Sequence, residues 1–392
     1  MGGVGYDINC GVRLMASKLN RSEIQPNLKT LVNTLFQHVP TGVGSTGELR
    51  VSHKVEREVL RDGAKWSVDN GFGYAEDLEY VEENGRVEDV DVDCVSEKAL
   101  ERGRSQLGTL GSGNHFLEVG YVSEIYDDTA AQTLGLELDQ VTVIIHCGSR
   151  GFGHQVCDDY LRVMDRAASK YGIELPDRQL CCAPIKSDEG QRYLGAMRCA
   201  VNFAFANRQV IASWTRDAFR KALGKNDHEI GLRMIYEVAH NIAKFERHTL
   251  DGRQQNLCVH RKGATRAFAP GSPEVPLKYR EVGQPVLIPG DMGRYSYVLV
   301  GSQGAMEQTF GSTCHGAGRA MSRNKAKKVA QGRSIARELE NRGIYVQAAS
   351  RKTMDEELPE AYKDVTCVVD ACQLAGISKK VARLRPLACI KG

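Results

Sequence analysis

The chain has 392 residues, and its 52 Lys and Arg against 49 Asp and Glu leave a net charge of +3, too small for bulk electrostatics to argue for a nucleic-acid partner. It is long enough to bury a large core, no apolar run approaches the roughly 18 residues of a membrane span, and no basic-apolar signal pattern opens it, so the expectation is a cytoplasmic protein with no membrane partner. Twelve cysteines without regular spacing argue against a disulfide scaffold and for reduced, mostly buried thiols, while the 40 glycines gather in a few motifs.

The first motif is GGVGYDINCGVR at residues 2–13, a strand or turn already in progress at Met1. Asp7 and Cys10 stand three apart between Gly5 and Gly11. That spacing lets a carboxylate and a thiolate converge on one cation, although in isolation an ordinary Asx-turn beside a buried cysteine is the simpler explanation of the pair. Leu28, Leu31, Leu35 and Phe36 mark one face of a helix over residues 27–40. The glycine-rich loop PTGVGSTGE that follows lacks the Gly-Lys-Ser/Thr of a Walker site. Residues 51–70 and 97–104 are expected to be helical, and the acidic stretch over residues 76–93 reads as a solvated surface segment.

GTLGSGNHFLEVG at residues 108–120 places Asn114 and His115 on a glycine turn before an alternating strand. The apolar run VTVII at 141–145 is a buried strand that ends in HCGSRGFGHQV, setting His146 at a strand's C-terminal end, where ligands collect. Arg150 in that glycine loop, ahead of a helix over 154–171, makes a phosphate site. Residues 189–223 form the longest helical pattern, with a division into two helices near Asn207 as one option. A strand at 234–238 leads to His240 and Asn241, a second polar pair beyond a strand, and a strand at 257–260 leads to the basic segment HRKGATRAF. Residues 271–283 are a loop, and strands at 286–288 and 295–300 flank PGDMGRYS.

Residues 310–323 read FGSTCHGAGRAMSR. Taken alone they suggest a glycine-rich turn opening into a basic helix, with His315 at the centre and Arg319 and Arg323 at helical spacing, a geometry that offers backbone N–H groups to phosphate. A basic helix bearing Lys325, Lys327, Lys328, Arg333 and Arg337 and a βαβ-like segment complete the chain. No repeat or linker divides it, so one continuous α/β or α+β domain is the simplest architecture.

Asp7, Cys10, His115, His146 and His240 are metal-capable residues that each fall in a glycine-rich or strand-end context. One carboxylate, one thiolate and three imidazoles suit a borderline divalent ion such as manganese or zinc, and a shared thiolate can bridge two ions. Their scatter along the chain favours a catalytic over a structural site, and two-metal sites suit phosphate chemistry. His315 then has three open roles: nucleophile at phosphorus, acid, or further ligand.

GVGYDINCGVR, GSGNHFLE, HCGSRGFGHQV, HNIAKFE, HRKGATRAF, PGDMG, GSTCHGAGRAMSR and the terminal IKG resemble, in order and over the whole chain, the signatures of the RtcB family of GTP-dependent, 3′-phosphate RNA ligases. The resemblance implies an α+β fold with a central metal and nucleotide cleft formed by strands and glycine-rich loops and flanked by helices, as a single catalytic domain over residues 1–392. It implies two Mn2+ ions, one on Asp7, Cys10 and His115 and the other on Cys10, His146 and His240, and His315 as the residue that takes GMP from GTP. Guanylate-contacting positions would be Asn114, His115, Phe116, Leu117, Glu118, His240, Asn241, Pro289, Gly290, Asp291, Met292, Ser296, His315, Gly316, Ala317, Gly318, Tyr362 and Lys391, with Glu118 and Lys391 suited to the base. Arg150, Arg261, Lys262, Arg319 and Arg323 are candidates for phosphate or RNA contacts, partly on motif and partly on charge.

The implied reaction joins RNA 2′,3′-cyclic phosphate or 3′-phosphate ends to 5′-hydroxyl ends through a GMP-histidine intermediate, on tRNA halves or cleaved RNA, with the small protein archease as an assisting partner. Members of the family carry a segment ahead of the DINCG motif, so the expectation is a chain that is incomplete at its N-terminus. A metal-dependent RNA phosphoesterase and an inactive RNA-binding fragment are the competing readings.

Overall fold

The computed structural model describes residues 3–47 and 49–392; Gly2 of the first motif and Glu48 of the glycine-rich loop lie outside the described residues. Its strands are β1 (Gly11–Asn20), β2 (Phe116–Ile125), β3 (Gln140–Cys147), β4 (Arg233–Ala239), β5 (Asn241–Leu250), β6 (Arg253–Lys262), β7 (Ala264–Arg266), β8 (Pro285–Ile288), β9 (Ser296–Gly301), β10 (Ser312–Cys314), β11 (Tyr345–Ala348) and β12 (Ser378–Lys391). The main sheet runs β4-β1-β3-β2-β12-β9-β8, with β11 added beside β12. Its neighbours are antiparallel except β11, which lies parallel to β12 across the helices Arg351–Glu356 and Val365–Leu374, the βαβ unit expected at the C-terminal end.

Strand alternation divides the core into two faces. Val12 and Leu14 of β1, Val122 of β2, Ile144 of β3, Val238 of β4, Leu287 of β8, Val298 of β9 and Leu384 of β12 all join one apolar cluster. Every strand of the main path thus contributes to a single interior, so the sheet is curled until nearly closed. Its two edges meet through the Tyr279 hydroxyl, which donates to the Ile235 carbonyl (2.9 Å), and Gln284, which donates to the Tyr236 hydroxyl (3.1 Å). Met15, Leu117, Val119, Val143 and Ile145 point the other way, into a larger cluster shared with helices. Mixed helices and largely antiparallel sheet make the fold α+β.

The helix Asp188–Leu223 is continuous for 36 residues between a Ser187 cap and Gly224 in the left-handed region, so the chain does not divide near Asn207. Asn207 is buried because it holds two loops. Its Oδ1 accepts from the backbone N–H groups of Gly108 (2.7 Å) and Thr109 (3.1 Å), and its Nδ2 donates to the Gly148 carbonyl (3.2 Å). A polar residue in an apolar stripe here is an anchor rather than a break.

The acidic stretch also departs from expectation. It folds into short turns (Ala75–Tyr80, Glu82–Gly85, Val92–Cys94), and Asp77 and Glu82 are buried. Arg216 grips Asp77 through two nitrogens (2.7 and 2.8 Å), and Lys244 (2.6 Å) with the Ala239 N–H (2.7 Å) holds Glu82. Partners more than a hundred residues away turn a charge run into an internal clamp.

Residues 310–323 hold no continuous turn-to-helix junction. Ser312–Cys314 pairs with β7, Arg319 forms an isolated bridge with Tyr362, and the helix starts only at Arg323, capped by Ser322. Gly318, with φ of 72°, turns the chain before that helix. The basic segment beyond it is two short helices, Arg323–Val329 and Ile335–Glu340. The helix after β3 begins at Arg150, earlier than expected, and His240 sits between β4 and β5 because Asn241 already belongs to a strand. Among the described residues no helix is long and apolar enough to cross a membrane.

Candidate functional site

One end of the curled sheet collects the polar side chains. In the antiparallel registers Phe116 faces His146, Lys391 faces Phe116, and Cys389 faces Glu118, which places all five on the inner side of β2, β3 and β12 at that end. The turn before β1 brings Asp7 and Cys10 over the same end, and Arg208 fixes that turn by donating to the carbonyls of Asn9 (2.6 Å) and Cys147 (2.9 Å).

Two donor groups share the Cys10 sulfur: Asp7, Cys10 and His115, and Cys10, His146 and His240, with the donor atoms of each within 4.8 Å of one another. In the first, His115 Nδ1–H donates to the Leu110 carbonyl (3.0 Å), which aims Nε2 at Asp7 Oδ2 (2.7 Å) and Cys10 Sγ (3.4 Å). The second Asp7 oxygen accepts from the Ser149 N–H (2.9 Å). Burial pushes the Asp7 carboxyl up, yet the charge and hydrogen bond of His115, joined by the charges of His154 and Arg150, together outweigh it and hold the group well below the usual carboxylate range. His115 is the mirror image: burial opposes its charge, but Cys147, Cys10 and Asp7 raise it well above the ordinary imidazole value.

The second group brings one sulfur and two imidazole nitrogens into mutual contact. His146 Nε2 stands 3.3 Å from Cys10 Sγ and 3.2 Å from His240 Nε2. Burial, and then neighbouring histidines, push both imidazoles well below their ordinary value, so both are neutral, and burial with the Asp7 charge pushes the Cys10 thiol up to about 11. His240 Nδ1 is buried without a hydrogen-bond partner. Buried acceptors so arranged fit a shared divalent cation, which would also deprotonate the thiol. The donor set suits a borderline ion.

Two cavities flank this pair of groups. The first, about 300 Å³, is lined by Asn114, Phe116, Glu118, His146, Pro289, Gly290, Asp291, Met292, Ser296, His315, Gly316, Ala317, Gly318, Tyr362 and Lys391, together with Arg319, Arg323, Glu357 and Cys389. Its volume falls at the lower end of small-ligand sites. The His315 ring stacks on His240 with centroids 4.2 Å apart, and burial pushes it down to about 4, so it is a neutral imidazole facing the cavity. Burial, reinforced by Asp291, pushes the Glu118 carboxyl up to about 8, and its Oε1 has no hydrogen-bond partner. Lys391 Nζ donates to the Gly113 carbonyl (3.0 Å).

The second cavity, about 510 Å³, is a groove lined by Asp7, Cys10 and His115 on its floor, by Arg150, Asn241 and Lys352, and by Tyr6 and His154. Asn114 and Arg323 line both spaces.

Some expected positions lie elsewhere. Leu117 is fully buried in the helix-side core, because strand alternation turns it away from Glu118. Asn241 donates to the Asp7 backbone carbonyl (3.1 Å) on the groove side, and His115 also lines the groove. Arg261 is not a surface cation: it is buried and gives two hydrogen bonds to Glu246 (2.6 and 2.8 Å). Arg150 is buried 3.4 Å from His115 Nδ1, Arg319 is paired with Glu357 (3.0 Å), and Lys262 is exposed.

Sequence reasoning missed Glu357. This buried carboxylate accepts from Tyr362 and Arg319 and lies 3.6 Å from Lys391, drawing three lining residues together. Only its place five residues before Tyr362 hinted at it, and no spacing rule makes that a signal.

A family described as tRNA-splicing ligase RtcB matches the chain over residues 1–392. A protein of Archaeoglobus fulgidus named tRNA-splicing ligase RtcB is 58% identical over 391 residues, covering 100% of this chain and 81% of its own length. Proteins of the same name from Thermococcus kodakarensis and Methanococcus maripaludis are 54% and 52% identical over 391 residues, each covering 100% of this chain and 81% and 82% of their own lengths.

Proposed function

The chain belongs to the RtcB family of tRNA-splicing ligases, and on that premise we propose that it joins RNA 2′,3′-cyclic phosphate or 3′-phosphate ends to 5′-hydroxyl ends with GTP. The observation that carries the reading is His315, a half-buried, neutral imidazole that lies against His240 and faces the cavity closed by Glu118 and Lys391.

Asp7, Cys10 and His115 would hold one Mn2+ and Cys10, His146 and His240 the other, and the bound ions would supply Lewis-acid stabilisation of phosphate oxygens. GTP enters the first cavity with its base toward Glu118 and Lys391, and Arg319 and Arg323 balance its phosphates. The neutral His315 nitrogen attacks the α-phosphorus, a P–N bond forms, and pyrophosphate leaves. Water opens a cyclic end to the 3′-phosphate, whose oxygen then attacks the GMP-histidine, breaking the P–N bond and forming a pyrophosphate link to GMP. The 5′-hydroxyl of the second RNA attacks the RNA phosphorus, releasing GMP as the new phosphodiester forms. Binding, rather than covalent change, is the task of Asn114, Phe116, Ser296 and Tyr362.

The reading takes residues 1–392 as one catalytic domain, acting in the cytoplasm on tRNA halves or cleaved RNA, with archease as an assisting partner. A phosphoesterase would leave His315 and the cavity beyond it without a role. Incubation with α-labelled GTP and manganese should yield an acid-labile, alkali-stable adduct that His315→Ala abolishes; a folded protein that ligates RNA without forming the adduct would overturn the mechanism.

A further inference from the structure

Tyr6 is half exposed (50%), and its ring packs on that of His154, with centroids 6.0 Å apart and planes at 34°. Both rings line the groove whose floor is Asp7, Cys10 and His115. Single exposed aromatics need no explanation. This pair is different because the same groove holds cations at two depths. Arg150 is buried at the floor, beside His115, whereas Lys352 and Arg323 are exposed and line the groove too. A permanent cation at the bottom suits a terminal phosphate dianion, which a 3′-phosphate end presents and a 5′-hydroxyl end lacks. An aromatic platform beside it suits the base of that nucleotide, and stacking accepts any of the four bases.

Resting on the ligase reading, we propose that Tyr6, backed by His154, is the stacking platform for the 3′-terminal base of the RNA whose phosphate Arg150 receives. The groove therefore requires a base at that position without selecting which one.

The test uses the full chain with 3′-phosphate RNAs that carry either a normal or an abasic terminal nucleotide. Ligation kcat/KM and GMP-adduct formation are measured separately for wild type, Tyr6→Ala and Tyr6→Phe. Removing the base should cost the wild type and Tyr6→Phe roughly tenfold or more in ligation, within the range of base–aromatic stacking. Tyr6→Ala should show that loss already on normal RNA and lose nothing further on abasic RNA, while forming the adduct at the wild-type rate, because no RNA takes part in that step. The proposal fails if Tyr6→Ala and wild type lose the same factor on removal of the base. It fails equally if Tyr6→Ala is defective in adduct formation, or if Tyr6 couples instead to an abasic nucleotide at the 5′-hydroxyl end. Wild-type protein that forms neither adduct nor ligated RNA would instead sink the ligase reading beneath it.

Discussion

The imidazole of His315 lies over that of His240, with centroids 4.2 Å apart and planes 25° from parallel, while His240 turns its Nε2 toward His146 at 3.2 Å. The residue read as the GMP carrier thus touches a metal-type ligand without belonging to either donor group. His315→Ala should therefore bind two manganese ions per chain and form no GMP adduct, whereas His240→Ala should lose one ion as well as the adduct. Metal analysis after desalting separates the two. Loss of an ion from His315→Ala would make that residue a ligand instead of a carrier.

Cys10 is the one residue common to both donor groups, so its removal acts on two ions at once. Added manganese should raise the melting temperature of the wild type, by a linkage term of about 2.7 kcal/mol at a hundredfold excess over Kd. Cys10→Ala should abolish most of that shift, and Asp7→Ala should remove only part. Thermal unfolding with and without metal reads this independently of ligation. Equal shifts in Cys10→Ala and wild type would refute a bridging role.

Beneath the site, Glu237 is wholly buried between Arg13 (2.5 Å) and Arg208 (2.7 Å). Removing one partner of such a group leaves charge uncompensated in a dry interior, which costs about 3–5 kcal/mol. Glu237→Gln should lower stability by that amount in urea unfolding. Because Arg208 also holds the Asn9 and Cys147 carbonyls, the variant should bind manganese more weakly too. A change below 1 kcal/mol would show that the arginines find other acceptors.

How much of this was legible depends on the range of the interaction that decides each residue. The glycine motifs and strand ends are local, and they led to Asp7, Cys10, His115, His146 and His240, whereas the lining of one cavity came with the family resemblance. Strand periods were readable at β3, whose run is buried on both faces. Decisions made by distant partners were not. Asp77 and Glu82 looked solvated because Arg216 and Lys244 are invisible to a local reading, and Arg261 looked free because Glu246, fifteen residues earlier, claims it. Arg319 and Arg323 showed helical spacing, but no helix joins them, since Gly318 and Ser322 set the start of the helix later. Glu357 carried no pattern at all, because its importance is the convergence of Tyr362, Arg319 and Lys391 on it.

Glu118 supplies a pH test of nucleotide reading. Burial first, then Asp291, raises its carboxyl from the usual 4.5 to about 8, with Lys391 opposing. A raised folded-state value means that the native protein holds a proton the unfolded chain releases. The stability this contributes is present in full below pH 4.5 and is lost as pH rises through about 8. Guanine offers N1–H and amino N–H donors, which a carboxylate accepts better than a carboxylic acid does. Nucleotide binding should therefore draw the proton off, and KM for GTP in adduct formation should fall as pH rises from 6 toward 8, by up to about tenfold per unit. Glu118→Gln should flatten that profile and weaken discrimination between guanine and adenine nucleotides. It should also melt higher than wild type at pH 8–9 and no higher at pH 5, when the nucleotide-free proteins are compared. A KM profile for the variant that still falls with pH would place the titrating group elsewhere, and the melting curves would then say whether Glu118 is ionised throughout.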